Sequence, residues 1–230
     1  YSEKVLQNIS LTIPSKKITA IVGASGSGKT TLLKLILGVY EPIAGSIFLG
    51  AAPLSKIHKK AWRQQCGSVL QEGYIFSDAI ANNIALQEEI ADEKKLGLAA
   101  RTANIEEFVE SLTLKYKTVI GVDGQGLSQG QKQRILIARA VYKNPHFIFF
   151  DEATNSLDAN NEAIIMQNLE QFFLDKTVVI VAHRLSTVRN ADQIIVLDKG
   201  MVVETGAHAD LINNKNTYYN LVKNQLELGN

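Results

Sequence analysis

The sequence predicts an α/β fold: a largely parallel sheet, a small antiparallel β part and an inserted helical subdomain. Three observations carry this expectation. Apolar runs of strand length alternate with helix-like segments. One run, Phe147-Ile148-Phe149-Phe150, shows no polar alternation, as expected of a strand covered on both faces. The stretch from about Ser77 to Tyr142 lacks strong β runs and carries helical spacing at Ile105, Phe108, Val109 and Leu112.

In chain order, Ile18 to Val22 reads as a buried strand. A glycine-rich turn follows, then a helix carrying Leu32, Leu33, Leu35, Ile36 and Leu37. Ser46 to Leu49, between Gly45 and Gly50, reads as a short strand of an antiparallel hairpin. Lys56, Lys59, Lys60 and Arg63 around Trp62 form a basic amphipathic segment, read as a solvated helix face. After the helical stretch, Phe147–Phe150, Thr177–Ala182 and Gln193–Leu197 are strands, and Thr217–Leu228 is a last amphipathic helix. Repeats, heptad arrays and low-complexity tracts are absent. The expected organisation is a single domain, with 1–76 and 143–230 as the core and 77–142 as the helical subdomain.

Composition bounds the function. The chain has 230 residues, with 24 Lys+Arg against 23 Asp+Glu and a formal net charge of +1. A dedicated nucleic-acid binder would carry a stronger basic field, so no nucleic-acid partner is expected. Hydrophobic residues at 46% and charged residues at 20% suit a folded domain with a sizeable core. The single cysteine, Cys66, excludes an intrachain disulfide and a Cys-rich zinc site, fits a reducing compartment, and reads as a small buried hydrophobe. His58, His146 and His208 are too scattered for a metal cluster. The longest uninterrupted apolar run, Val178 to Ala182, is far short of the roughly 20 residues a membrane span needs. The first residues lack a signal-peptide pattern, and a start on Tyr1 suggests a piece of a longer polypeptide.

Gly23-Ala24-Ser25-Gly26-Ser27-Gly28-Lys29-Thr30 fits G-x-x-x-x-G-K-[ST] at every fixed position, with a strand before it and an apolar helix after it. Glycines let the chain approach a polyphosphate and point N–H groups inward. The helix N-terminus adds partial positive charge. Lys29 supplies a mobile cation for the β/γ-phosphates, Thr30 a hydroxyl for Mg²⁺, and Thr31 extends the nucleotide-binding run. The alternative, a plain strand-to-helix turn, leaves Lys29-Thr30 at this spacing unexplained. The motif implies a P-loop NTPase core but not which kind.

Asp151-Glu152 directly follows the Phe147–Phe150 run. Ligands of open α/β sheets sit beyond the carboxyl ends of the strands, so this pair should face the phosphate loop. Asp151 would reach Mg²⁺ through its water shell, and Glu152 would polarise the attacking water as a general base. Without a phosphate loop the pair would read as a helix cap.

Gly126-Leu127-Ser128-Gln129-Gly130-Gln131 opens a helix running through Arg134, Ile135, Ile137, Ala138 and Val141. Ser128 with Gln131 is a capping box. The same serine, glycine and free N–H groups also make an anion site, and the two roles can coexist.

With these residues in view, the chain resembles the nucleotide-binding domains of ATP-binding cassette (ABC) transporters over essentially its whole length. Leu127–Gln131 looks like the family's L-S-G-G-Q signature, Gln71 the Q-loop glutamine that touches magnesium and the attacking water, Ser156-Leu157-Asp158 the D-loop, and His183 the switch histidine on the γ-phosphate. The resemblance implies ATP and Mg²⁺ as ligands, with Thr30, Gln71 and Asp151 at the metal and Glu152, His183 and Gln71 at the chemistry. It implies a second copy packed head to tail, whose ATP would be met by Ser128, Gly130, Gln131 and Asp158. Tyr1 is the candidate for the family's adenine-stacking aromatic, although its distance from Gly23 is slightly short.

Three positions depart from the family pattern: Gln129 stands where glycine is usual, Val122 where exporters often carry glutamate, and Asn155-Ser156 replaces Ser-Ala. Val122 puts a cross-contact with membrane helices in doubt. His183-Arg184-Leu185-Ser186-Thr187 followed by Asn190-Ala191-Asp192 is similar to the exporter branch, in the style of bacterial peptide, bacteriocin or toxin exporters. The implied setting is the cytoplasmic face of a membrane, beside a transmembrane domain received near Gln71, Phe76 and Ile84. Anionic lipid is then an alternative partner for the basic segment around Trp62. The rival functions are a DNA-repair or chromosome-maintenance ATPase, which would split the nucleotide halves with a long coiled coil, and a ribosome-associated ABC protein, which usually carries two cassettes. A nucleotide kinase would not need Ser128, Gly130 or His183.

Overall fold

The computed structural model describes residues 4–71, 73–86, 88, 90–122, 124, 126–153, 157–182 and 188–228. In chain order the elements begin with β1 (Ile18–Val22), α1 (Lys29–Ile36), β2 (Phe48–Leu49), β3 (Ala52–Pro53), α2 (Lys59–Gln65) and β4 (Cys66–Val69). Next come β5 (Asp78–Ala79), α3 (Ile80–Ile84), α4 (Glu93–Thr102), α5 (Glu106–Ser111), β6 (Val119–Ile120) and α6 (Gln129–Lys143). The chain then runs through β7 (Phe147–Asp151), α7 (Ala159–Phe173), β8 (Thr177–Val181), β9 (Gln193–Asp198) and β10 (Met201–Gly206), and ends with α8 (His208–Asn214) and α9 (Thr217–Leu228).

Two compact units divide these elements. The first comprises 1–66, 147–152 and 175–230; the second comprises 67–146 and 153–174.

Within the first unit the strands lie in the order β10-β9-β1-β8-β7. β1 pairs in parallel with both β8 and β9, β7 pairs in parallel with β8, and only β10 runs antiparallel, against β9. The unalternating apolar runs anticipated from the sequence are buried apart from the half-buried Phe147: Ile148, Val178, Ile194, Val196 and Leu197 are 0% exposed. α1 covers the sheet with Leu32 and Leu33, and Trp62 of α2 packs against Phe147 with ring centroids 4.9 Å apart. Its lysines Lys59 and Lys60 stay on the exposed side, so the basic segment is a solvated helix face built on one buried anchor.

Two strands, β10 and β4, are not among those expected from the sequence. β10 alternates half-buried and exposed residues and is joined to β9 by Lys199-Gly200, both at positive φ, a hairpin turn. β4 contains Gly67 and Ser68, which lack the bulk that marks a strand. The expected front hairpin is present but shorter, with Phe48–Leu49 pairing Ala52–Pro53.

The second unit is mainly helical and centres on α6, whose Ile135, Ile137 and Ala138 are fully buried. It also holds a two-residue ladder, Asp78↔Ile120 and Ala79↔Val119, too short to leave an apolar run in the sequence. Arg139 of α6 anchors α3 and the segment before it. Its Nε donates to the Asn83 carbonyl at 2.7 Å and its Nη1 to the Tyr74 carbonyl at 3.0 Å. Burial pulls that guanidinium down to about 10, which still leaves it charged at neutral pH.

Candidate active site

Strand register sets the site. Ile21 of β1 pairs with Val181, and Val181 pairs with Asp151, so the carboxyl ends of β1, β8 and β7 finish level. The glycine-rich loop leaves β1 there, and Asp151-Glu152 ends β7 there, at the edge where open α/β sheets bind ligands.

The loop is held close to the sheet. A Cβ on Gly23 would lie 2.1 Å from the Leu197 carbonyl oxygen and 2.7 Å from the Ser27 hydroxyl, so only glycine fits. Gly28, at φ 101°, caps α1 in the left-handed region and brings the chain into the helix. Gly26, at φ 77°, has nothing within 4 Å of its Cβ position and leaves the loop open on that side. Ser27 is buried at 3% exposure, and its hydroxyl has no hydrogen-bond partner among the described residues. A buried unpaired hydroxyl costs about 1–3 kcal/mol, which a phosphate oxygen as acceptor would offset.

Two opposite charges are buried beside this loop. Lys29 is 6% exposed, and its ammonium donates to the Gly23 and Ala24 carbonyls at 2.9 and 3.0 Å. Burial lowers its pKa, opposed by the negative charges of Glu152 and Asp151. Asp151 is 1% exposed and accepts from the Thr30 hydroxyl at 3.2 Å. Burial raises its pKa, the Thr30 hydrogen bond lowers it, Glu152 raises it, and Lys34 and Lys29 lower it. Lys34, on α1 and outside the motif, is a contributor that the sequence pattern did not single out.

Glu152 takes the left-handed backbone region at φ 53°, unusual for a residue other than glycine. Its N–H donates to the Val181 carbonyl at 3.2 Å, which fixes the turn out of β7. Such a conformation costs of order 1–3 kcal/mol and persists where the surroundings impose it, commonly at functional sites.

Thr30 and Asp151 offer hard oxygen donors of the kind magnesium takes. Among the described residues no three His, Cys, Asp or Glu side chains come together to hold a metal ion. Two protein oxygens with the remainder from phosphate and water is the usual magnesium arrangement at a nucleotide, so the donor set fits.

The other residues singled out by sequence lie in the second unit or outside the described residues. Gln71 is exposed, in the turn after β4. Ser128 is exposed and caps α6 in the expected capping box: its hydroxyl accepts from Gln131 N at 3.1 Å, and its own N–H donates to Gln131 Oε1 at 2.9 Å. Gly130 follows in the first turn, half-buried, while Gln129 is exposed. Asp158 caps α7, accepting from Asn161 N at 3.0 Å. Tyr1, His183 and Ser156 lie outside the described residues, as do Arg184 to Thr187. Val122 is 92% exposed, and Tyr74 and Phe76, at 65% and 46%, form an exposed edge-to-face pair 5.0 Å apart near the expected membrane-domain groove. Among the described residues no helix is long and apolar enough to cross a membrane.

Comparisons with known proteins bear on the family and the fold. The family model described as ABC transporter matches residues 6–155. ABC transporter B family member 14 of Arabidopsis thaliana is 45% identical over 221 residues, covering 96% of this chain and 18% of that protein. The leukotoxin translocation ATP-binding protein LktB of Mannheimia glucosida is 43% identical over 224 residues, covering 97% of this chain and 32% of that protein. A solved structure of a bacterial Atm1-family ABC exporter with ATP bound superposes with a TM-score of 0.92 at 35% identity, covering 97% of this chain and 39% of that one. The chain thus spans a third or less of the curated relatives it matches. With its P-loop sheet and helical second unit, the chain belongs to the ABC transporter family, as a nucleotide-binding domain.

Proposed function

We propose that this domain binds ATP with Mg²⁺ at Gly23–Thr31 and hydrolyses it as the motor of an exporter, working as a pair of identical domains. The observation that carries the proposal is the gathering of Lys29, Thr30, Asp151 and Glu152 at one sheet edge, with two buried charges and an unpaired Ser27 hydroxyl awaiting a polyphosphate. The solved relative with ATP bound supports the ligand. The translocation role in the name of the LktB relative supports export, with a toxin as cargo; a peptide or bacteriocin remains the other cargo that the exporter-like sequence implies.

Lys29 would exchange its carbonyl partners for the β/γ-phosphates, and Ser27 would donate its hydroxyl to them. Thr30 and Asp151, with Gln71, would hold Mg²⁺, which neutralises phosphate charge when bound. Glu152 would accept the proton of the water that attacks the γ-phosphorus, while the bond to the bridging oxygen breaks. His183 would contact the γ-phosphate, and Tyr1 is the aromatic candidate for adenine. Ser128, Gly130, Gln131 and Asp158 would meet the nucleotide of the second copy, so that ATP favours the paired state through its extra contacts there. A transmembrane domain is the remaining partner, and the cytoplasmic face of the membrane is the setting.

Glu152→Gln tests this reading. The variant should keep ATP affinity, lose about 10²–10⁴-fold in turnover, and run as a dimer on gel filtration with ATP. A variant that binds ATP yet stays monomeric at every concentration overturns the pairing.

A further inference from the structure

The second unit contains a polar chain that no nucleotide motif requires. Asn104 ends α4 in the left-handed region at φ 51°, with its N–H on the Arg101 carbonyl at 3.0 Å. Asparagine tolerates that conformation at a helix end. Its carbonyl accepts from Arg134 Nη1 of α6 at 2.7 Å, and its side-chain amide donates to Asn161 Oδ1 of α7 at 2.8 Å. Asn161 in turn donates twice to Asp158, from Nδ2 to Oδ2 at 2.6 Å and from its backbone N–H to Oδ1 at 3.0 Å. Arg134 also reaches back to the Gly130 carbonyl at 3.4 Å. A second clamp runs parallel, with Asn168 Nδ2 donating to the Arg101 carbonyl at 3.2 Å.

An ordinary N-cap needs only one oxygen of Asp158 and one backbone N–H. Here the second oxygen is also engaged, by a side chain that is itself held from α4. These hydrogen bonds hold the Asp158 carboxyl below the usual range, the Asn161 side chain having the largest effect. The residue fixing the carboxylate, in the first turn of the same helix, is thus itself held from outside that helix by Asn104, and it reaches the signature helix within two further hydrogen bonds.

We propose that Asn161, braced by Asn104, is a positioning residue: it presents Asp158 and the Ser128–Gln131 tip to the second copy as one preset arrangement. Preorganisation of this kind acts on pairing, because groups already ordered lose less freedom when the interface forms. It leaves nucleotide binding by one copy unchanged, since neither asparagine belongs to the phosphate loop or its unit. The inference rests on the paired reading above.

Asn161→Ala removes the side-chain donor and leaves the backbone N–H on Asp158. Asn104→Gly removes the bracing amide and keeps a residue suited to the left-handed backbone. In a Glu152→Gln background with saturating ATP, each variant should need about tenfold more protein for half-dimerisation, the effect of losing roughly one hydrogen bond's contribution. ATP affinity at concentrations where the chain is monomeric should match that of the parent. With Glu152 intact, hydrolysis per molecule should fall at low protein concentration and recover its full plateau at high concentration, a split that mere loss of stability would not give. The double variant should be no worse than the weaker single one. Variants that dimerise at the parent's concentration overturn the positioning role and leave the paired reading standing. A Glu152→Gln parent that binds ATP without pairing overturns both.

Discussion

The Thr30 hydroxyl donates to Oδ1 of Asp151 across 3.2 Å, joining the first turn of α1 to the end of β7. The two residues are 121 positions apart, and the parallel pairing of β1 and β7 with β8 brings them together. Asp151 is buried with Lys29 close enough to act on its charge, but no salt bridge joins them among the described residues. Two buried charges lacking a direct pair are a cost to the folded domain that function explains better than stability does.

Asp151→Asn should therefore stabilise the domain while abolishing turnover. Burial raises the folded-state pKa of Asp151 above its ordinary 3.8. Its contribution is accordingly most favourable below the unfolded value and is lost as pH rises through the folded one. At neutral pH the ionised carboxylate costs stability, and the amide removes that cost. A gain of about 1 kcal/mol would raise the melting temperature by about 2–4 °C for a domain of this size. The gain should shrink toward pH 4. Melting curves of both proteins at pH 7 and pH 4 check it; equal midpoints at pH 7 would contradict the charge cost.

Lys29→Ala should separate binding from folding in the same way. Burial lowers the pKa of Lys29 below its ordinary 10.5. A depressed folded pKa means that stability is present above the unfolded value and lost as pH falls, so the protonated amine is a cost at pH 7. Removing it should leave the melting temperature equal or higher, while ATP affinity by calorimetry falls tenfold or more, the loss of charge-assisted hydrogen bonds worth about 1.5–3 kcal/mol. Unchanged affinity would remove Lys29 from the phosphate site.

Much of this site was legible because its chemistry is local. Gly23 to Thr30 declares itself by spacing, and Asp151-Glu152 by following an unbroken apolar strand. The capping box at Ser128 and Gln131 was legible for the same reason, as a contact three residues apart. What the sequence concealed depends on distant packing. Nothing near Asn104 announces a bond to Asn161, 57 positions away, because asparagine in a turn is ordinary. The left-handed Glu152 is set by the Val181 carbonyl from a neighbouring strand, and the absolute need for glycine at position 23 is set by the Leu197 carbonyl. Gly67 and Ser68 hid β4 since small residues say nothing of burial.

Gly23→Ala should behave unlike any charge variant. The added methyl would meet the Leu197 carbonyl oxygen at 2.1 Å, and Leu197 is fully buried in β9, so neither side can yield cheaply. Destabilisation of about 2 kcal/mol or more is expected from overpacking, with a lowered melting temperature even without nucleotide. A variant that melts with the parent and loses only ATP binding would mean the loop can shift away from β9.

Ser128→Asp distinguishes the two roles of the α6 tip, capping and anion contact, which the sequence alone left entangled. Aspartate is as good an N-cap as serine and suits the positive helix end, so the Gln131 N–H keeps its acceptor and stability should stay within about 0.5 kcal/mol. ATP binding by one copy should also survive, because Ser128 belongs to a different unit from the phosphate loop. A second copy's γ-phosphate would instead meet a carboxylate in place of a hydroxyl donor, and repulsion between like charges at contact distance costs several kcal/mol when desolvated. In the Glu152→Gln background, ATP should no longer produce a dimer, whereas Ser128→Ala should lose about 1 kcal/mol of cap stability and weaken pairing less. Sedimentation with and without ATP, read beside melting curves, separates the outcomes. If Ser128→Asp pairs as readily as the parent, the serine serves only its own helix.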